Sequence, residues 1–294
     1  MSQDPEVRPG KPVPDGKDRE SGAMSDEVRL SHEEMEIADE FEDVPTSVIF
    51  EVIRREGEHE LARPVSALWW SGIAAGLAIS TSVLSKGFLV AVLPHADWTP
   101  AVANLGYTVG FLIVILGRMQ LFTENTITPI LPLFLNPSLE ALGRIGRLWG
   151  IVFAANLVGC AAAAAVLSFS GIVPEDRFEG VLEVSRHYAE ADALSHFLWG
   201  IPAGFLIAAL VWILPRMESA GEVLIIVIMT YVIGIGGMSH VVAGSTELFI
   251  LVAHGELGLG KAVVAGILPA FAGNVLGGTG IFAALTYAQV REEI

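Results

Sequence analysis

Polar residues interrupt this otherwise apolar chain in four places, and their spacing limits what they can do. His240 follows Gly234-Ile235-Gly236-Gly237-Met238-Ser239, a run that breaks an aliphatic stretch beginning near Val223 and ending near Val252. Arg118, Gln120, Thr123, Glu124 and Asn125 break another, which starts near Ala101 and resumes at Ile127-Thr128-Pro129-Ile130-Leu131-Pro132. Asn156-Leu157-Val158-Gly159 and Asn274-Val275-Leu276-Gly277 share one pattern of Asn, two aliphatics and Gly, 118 positions apart. The same offset carries His240 to Phe122, so the two breaks occupy corresponding places in two halves of the chain. Backbone broken within hydrocarbon leaves amides and carbonyls without partners, so each break must face protein or water. Two converging breaks make a pore or a binding site, and the N-terminus of a half-helix favours an anion. An ionisable group held at such a place, as His240 is, carries function by default.

The elements that must position these residues are membrane helices. The 294 residues are 52% hydrophobic and 17% charged, with a mean hydropathy of +0.57, more apolar surface than a single water-soluble core covers. The hydropathy predicts spans over residues 65–93, from 101 through the first break, 148–168, 197–214, 223–252 with the second break, and 262–288. The fold class is therefore all-α integral membrane, with six transmembrane helices in two three-helix repeats whose second and fifth helices are broken. Three is odd, so the second repeat enters the membrane from the opposite side, the inverted plan of many transporters and channels. The third span is rich in small residues (AANLVGCAAAAAVL), as expected where helices approach closely in lipid.

The charge is unevenly placed. Of a net −16, residues 1–63 carry 8 basic and 18 acidic side chains. Residues 1–30 read as a disordered acidic cytoplasmic tail. Residues 31–63 read as an amphipathic cytoplasmic segment, with a capping box at Ser31 and Glu34 and a second helix start at Asp43-Val44-Pro45. In that second helix Val48, Ile49, Val52 and Ile53 share a face opposite Glu51, Arg54, Arg55 and Glu58, which suits a helix lying on the membrane or packed on a soluble partner. Residues 64–294 form the transmembrane domain. Arg144, Arg147, Arg216 and Arg291 lie on the tail's side, and Arg177, Arg186 and Lys261 lie opposite, which favours cytoplasmic termini in the inner (plasma) membrane. No basic n-region precedes an apolar h-region near Met1, so the first span is expected to direct insertion. The acidity argues against nucleic acid. The lone Cys160 excludes a disulfide framework within one chain, and no spacing resembles a metal site, a phosphate loop or a nucleophile elbow, so no cofactor is expected and the chain does not read as an enzyme.

These residues resemble the formate/nitrite transporter family over about residues 43–289. The likeness rests on Leu121-Phe122-Thr123, on Trp149 through Asn156-Leu157-Val158-Gly159, on Gly237-Met238-Ser239-His240, and on Gly273-Asn274-Val275-Leu276-Gly277-Gly278. The ending ENTITPILP points to the YfdC-like branch. The resemblance implies an aquaporin-like six-helix protomer in a homopentamer, each protomer with a pore for small monovalent anions of weak acids, possible proton coupling, and lipid as its surroundings. By position it makes Phe122 a constriction, Thr123 the polar residue of the first break, His240 the central pore histidine and Asn274 its neighbour. Tyr107, Phe111 and Ile233 then fall at flanking apolar constrictions. Apolar rings disfavour a bare ion, while an imidazole at the midplane donates a hydrogen bond or a proton and lets the anion cross as its neutral acid.

The chain departs from the family pattern at three points. Glu124 stands where a small residue is usual and opposes anion entry unless Arg118, on the same span, pairs with it. The family's outer-loop lysine is missing from Ser185-Arg186-His187-Tyr188, where Arg186 or His187 are the available substitutes. Ser239 replaces an acidic residue before the histidine. Other polar residues have plainer readings. Thr123 caps a half-helix, lines the pore, or both; Asn156 and Asn274 tie broken backbone or touch substrate. Glu247 reads as an interhelical or intersubunit hydrogen-bonding group. His32, His59, His95, His187, His196 and His254 lie near loops or span ends and read as solvated. Two alternatives stand beside the anion pore: a closed or vestigial pore serving as a membrane scaffold, with the acidic tail recruiting a cytoplasmic partner, and a cation pathway through Glu124.

Overall fold

The computed structural model describes residues 44–294, and its regular elements there are all helical. The tail and the capping box at Ser31 and Glu34 lie outside the described residues. Pro45 is extended, and α1 (Thr46–Ala62) opens directly after it, where the sequence places a helix start. Its buried face is Ile49, Phe50, Ile53, Gly57 and Leu61, while Val48 and Val52 are 47% and 46% exposed. The expected face is thus rotated toward Phe50. The reason is that α1 packs on its own chain: Phe50 meets Tyr287 at 6.3 Å between ring centres, and a Cβ on Gly57 would lie 1.9 Å from the Thr128 carbonyl oxygen. On the outer face Arg54 and Arg55 pair with Glu51, each at 2.6 Å, and hold its carboxyl down at about 2.

The chain continues through α2 (Val65–Val92), α3 (Thr99–Leu116), the short α4 (Ile130–Leu135), α5 (Leu139–Phe169), α6 (Glu175–Ala189), α7 (Ala193–Ile213), α8 (Ala220–Ile235) and α9 (Val241–Ala253). It ends in α10 (Leu259–Val290), which contains π-helical stretches at Ala262–Ile267 and Leu276–Ala283. Among these, α2, α3, α5, α7 and α10 are five helices long and apolar enough to cross a membrane, and α8 and α9 are shorter apolar helices. Small residues set a close crossing: Gly76 of α2 and Gly159 of α5 meet so tightly that a Cβ on Gly159 would lie 2.8 Å from the Gly76 Cα.

The acidic stretch before α7 is itself a helix. In α6, Glu175 and Asp176 occupy the first turn and Arg186 and His187 the last, as the helix dipole favours. Arg186 is bound to Glu256 through two hydrogen bonds of 2.8 Å and to Glu179 at 2.7 Å. That occupies the arginine expected to serve as a free cation near the outer mouth. Arg186 also holds the Glu256 carboxyl below its ordinary range. The pairing therefore contributes stability above the unfolded carboxylate's pKa and loses it as pH falls through the folded value. A double-mutant cycle over Arg186 and Glu256, read by thermal unfolding, is expected to give a coupling of about 0.5–1 kcal/mol, because the pair is partly exposed to solvent.

Both breaks end their first helix in one way. After α3, Arg118 is left-handed at φ 48° and the Met119 N–H donates to the Val114 carbonyl at 3.0 Å. After α8, Gly237 is left-handed at φ 61° and the Met238 N–H donates to the Ile233 carbonyl at 3.0 Å. Asn156 then accepts from the Phe122 N–H at 2.9 Å and donates to the carbonyls of Gly72 and Gln120, each at 2.8 Å. Asn274 accepts from the Val241 N–H at 2.9 Å and donates to the carbonyls of Gly200 and Ser239, each at 2.8 Å. The break-to-asparagine spacing is 34 residues in one case and 33 in the other, so Phe122 matches Val241 and His240 matches Leu121. The expected pairing of His240 with Phe122 is therefore corrected by one residue.

Candidate functional site

The two breaks meet at Thr123 and His240. Thr123 Oγ1 lies 2.8 Å from His240 Nε2, and both residues are fully buried. His240 also caps α9, its Nδ1 accepting from the Ala243 N–H at 3.3 Å. A ring nitrogen that accepts carries a lone pair, so the proton of the neutral imidazole sits on Nε2 and points at the threonine oxygen. That leaves the Thr123 hydroxyl hydrogen free to turn elsewhere. Thr123 makes no side-chain cap on the turn that follows it, which removes the capping reading.

Aromatic residues close the space around this pair. Phe111 meets the His240 ring edge-on at 4.9 Å, and Tyr107 lies 5.4 Å from Phe111. Ile233 is fully buried. Phe122 sits in a cluster with Trp149, Phe153 and Phe271 at 5.8, 5.0 and 4.8 Å. Asn274 does not join the ring; its amide binds backbone on either side of His240, as Asn156 does around Leu121.

A cavity approaches the pair from each end of α7, a helix about 30 Å long at 1.5 Å per residue. The larger, of about 880 Å³, lies beside α1 and reaches Gln120, Glu124 and Asn125. Its wall carries Arg55, Arg63 and Arg118 together with Glu56, Glu60, Glu124 and Glu222. The other, of about 480 Å³, lies at the far end and reaches Ser239, with Lys86, Tyr107, Tyr188, His196 and Glu247 in its wall. Phe111, Phe122, Thr123, Ile233 and His240 line neither of these two cavities.

Several expectations change here. Arg118 and Glu124 share the first cavity but form no ion pair; Glu124 Oε1 is buried without a hydrogen-bond partner, because Arg118 is committed to the turn that ends α3 and is exposed. Glu247 makes no hydrogen bond among the described residues and instead faces the far cavity. His196 is not solvated: it is 1% exposed, its Nδ1 lies 3.0 Å from Ser239 Oγ, and the Tyr188 ring packs 4.7 Å away. The signal for it was Asp192, whose side chain caps α7 by accepting from the Ser195 N–H at 2.8 Å and thereby sets His196 inside the first turn.

Solved structures of similar fold are known. The family model described as formate/nitrite transporter matches residues 47–288. The chain is 37% identical over 276 residues to the inner membrane protein YfdC of Escherichia coli strain K12, covering 92% of this chain and 89% of that one. It is 24% identical over 238 residues to the formate channel FocA of Haemophilus influenzae, covering 71% and 81%. Among solved structures, an FNT family ion channel superposes with a TM-score of 0.71 at 20% identity, covering 83% of this chain and 98% of that one. A pentameric formate channel with formate bound superposes at 0.66 and 17% identity, covering 78% and 98%. The chain belongs to the formate/nitrite transporter family, in its YfdC-like branch.

Proposed function

We propose that this protein is a channel or transporter for small monovalent anions of weak acids, assisted by His240 at the centre of its pore. It crosses the inner membrane six times in two inverted halves, with both termini cytoplasmic, and assembles as a homopentamer with one pore per protomer. The matched asparagine brackets and left-handed caps at the two breaks support the repeat, and the pentameric formate channel of similar fold supports the assembly. The observation that carries the proposal is the Thr123–His240 hydrogen bond, which joins the two breaks between two cavities at opposite ends of α7.

In this reading Tyr107, Phe111, Ile233 and Phe122 form the dry layers that reject a bare ion. An anion reaching the centre exchanges water for the Nε2–H of His240 and the hydroxyl of Thr123. Hydrogen bonds to a charged acceptor are strong where the local dielectric is low. Uptake into liposomes holding the full chain tests the proposal, with formate, nitrite, acetate, lactate and chloride set against sodium and potassium in acid and alkaline buffers. Weak-acid anions are expected to pass and the cations to be excluded; sodium flux equal to formate flux would replace this reading with a cation path. The Glu124→Gln variant is expected to lower the KM for formate about threefold in alkaline buffer, where it removes a like charge from the approach beside α1, and to leave it unchanged in acid buffer.

A further inference from the structure

We infer that the far cavity sorts anions by charge: Lys86 holds the single carboxylate or nitrite group of a monovalent anion, and Glu247 turns away any ligand bearing a second negative charge. The inference deepens the anion-pore reading and rests on it. Lys86 comes from α2 and Glu247 from α9, and both line the same cavity of about 480 Å³. No direct ion pair or hydrogen bond joins them among the described residues, and both line the cavity that a ligand would enter. The Lys86 Nζ stands 5.7 Å from the centre of the Tyr107 ring, at the entrance to the aromatic layer that leads to Phe111 and His240.

Close backbone contacts hold this arrangement in place. A Cβ on Gly106 would lie 2.7 Å from the Lys86 backbone nitrogen, so the glycine lets α3 approach α2 where lysine and tyrosine must meet. A Cβ on Gly244 would lie 2.2 Å from the Tyr188 ring, so that glycine seats the tyrosine about one helical turn from Glu247. His196 and Ser239 close the inner end. The other charged groups that line the cavity are Glu190 and Asp192, with His187 at the rim, so Lys86 is the one lysine or arginine among the described residues in its wall. Arg186 is on the neighbouring helix but is engaged by Glu179 and Glu256. An anion entering past an acidic rim thus finds Lys86 and, in alkaline buffer where its carboxyl is ionised, Glu247 in one wall. A monovalent anion spends its only charge on Lys86 and presents its uncharged side to Glu247. A dianion must set its second charge against Glu247, Glu190 or Asp192.

The test is formate uptake by liposomes holding the full chain, measured over a range of formate concentrations with and without malonate as the competing dianion. Lys86→Met is expected to raise the KM about tenfold, whereas Lys86→Arg, which keeps the charge, stays within about twofold of wild type. Glu247→Gln is expected to do the opposite, lowering the KM and making malonate a competitive inhibitor, which it is not for wild type. Wild-type KM in Lys86→Met, a raised KM in Glu247→Gln, or malonate competing equally in wild type and Glu247→Gln overturns the inference while leaving the pore intact. Absence of any formate flux in the wild-type protein overturns the pore reading itself.

Discussion

Substituting His240 by Phe should reduce formate flux about thirtyfold, and His240→Asn should reduce it by a similar factor. Each change removes the Nε2–H that faces Thr123, and a hydrogen bond to a charged partner is worth about 1.5–3 kcal/mol, or roughly ten- to a hundredfold in rate. The two variants differ in what they do to the fold. His240 caps α9 through Nδ1, and Phe has no acceptor to replace it, so the Phe variant is also expected to lose about 1 kcal/mol of stability. Asn is a good cap residue and keeps that bond while being too short to reach Thr123. Flux lowered in both variants with stability lowered only in the Phe variant identifies the imidazole as a pore donor distinct from its capping role. Wild-type flux in both would remove His240 from the permeation path.

The Asn274→Ala variant should give the largest loss of stability, about 2–6 kcal/mol, and Asn156→Ala a similar loss. Each asparagine satisfies two backbone groups left without helical partners at its break, and ties them to a carbonyl of the neighbouring helix, Gly72 for Asn156 and Gly200 for Asn274. An unsatisfied buried polar group costs about 1–3 kcal/mol, and the bilayer offers no water to replace the lost partner. Such a loss is a large share of the stability of an ordinary domain. The check is thermal unfolding of detergent-solubilised protein together with its oligomeric state. A variant of unchanged melting temperature whose flux is abolished would show instead that the amide meets the substrate.

Much of this organisation was legible in the sequence, because a bilayer imposes long apolar runs and penalises every interruption. The breaks and the paired asparagines follow from where polarity appears in those runs, whereas the contact of Thr123 with His240 is seen only in the structure. What escaped depends on geometry that hydropathy does not encode. The one-residue difference between the halves is invisible until the asparagine bonds are seen to end on Phe122 and Val241. His196 reads as a loop-end residue unless the Asp192 cap is known to start α7 just before it. Glu124 and Arg118 are near in sequence, yet the left-handed turn at Arg118 directs them apart. The rotation of α1 toward Phe50 reflects a partner, Tyr287, more than two hundred positions away. Lys86 appears in the sequence only as an interruption of the first span; the cavity it shares with Glu247 gives it a chemical setting.

The two asparagines bind main-chain atoms on either side of each break, leaving the side chains of Leu121 and His240 between them outside that grip. Backbone groups are the same whatever residue carries them, so the frame does not record which side chains project into the passage. A protein engineer can therefore treat this molecule as a chassis with an exchangeable liner. If the proposed pore is right, residues at 123 and 240 can be rewritten to suit another solute, provided position 240 keeps a side chain able to start α9.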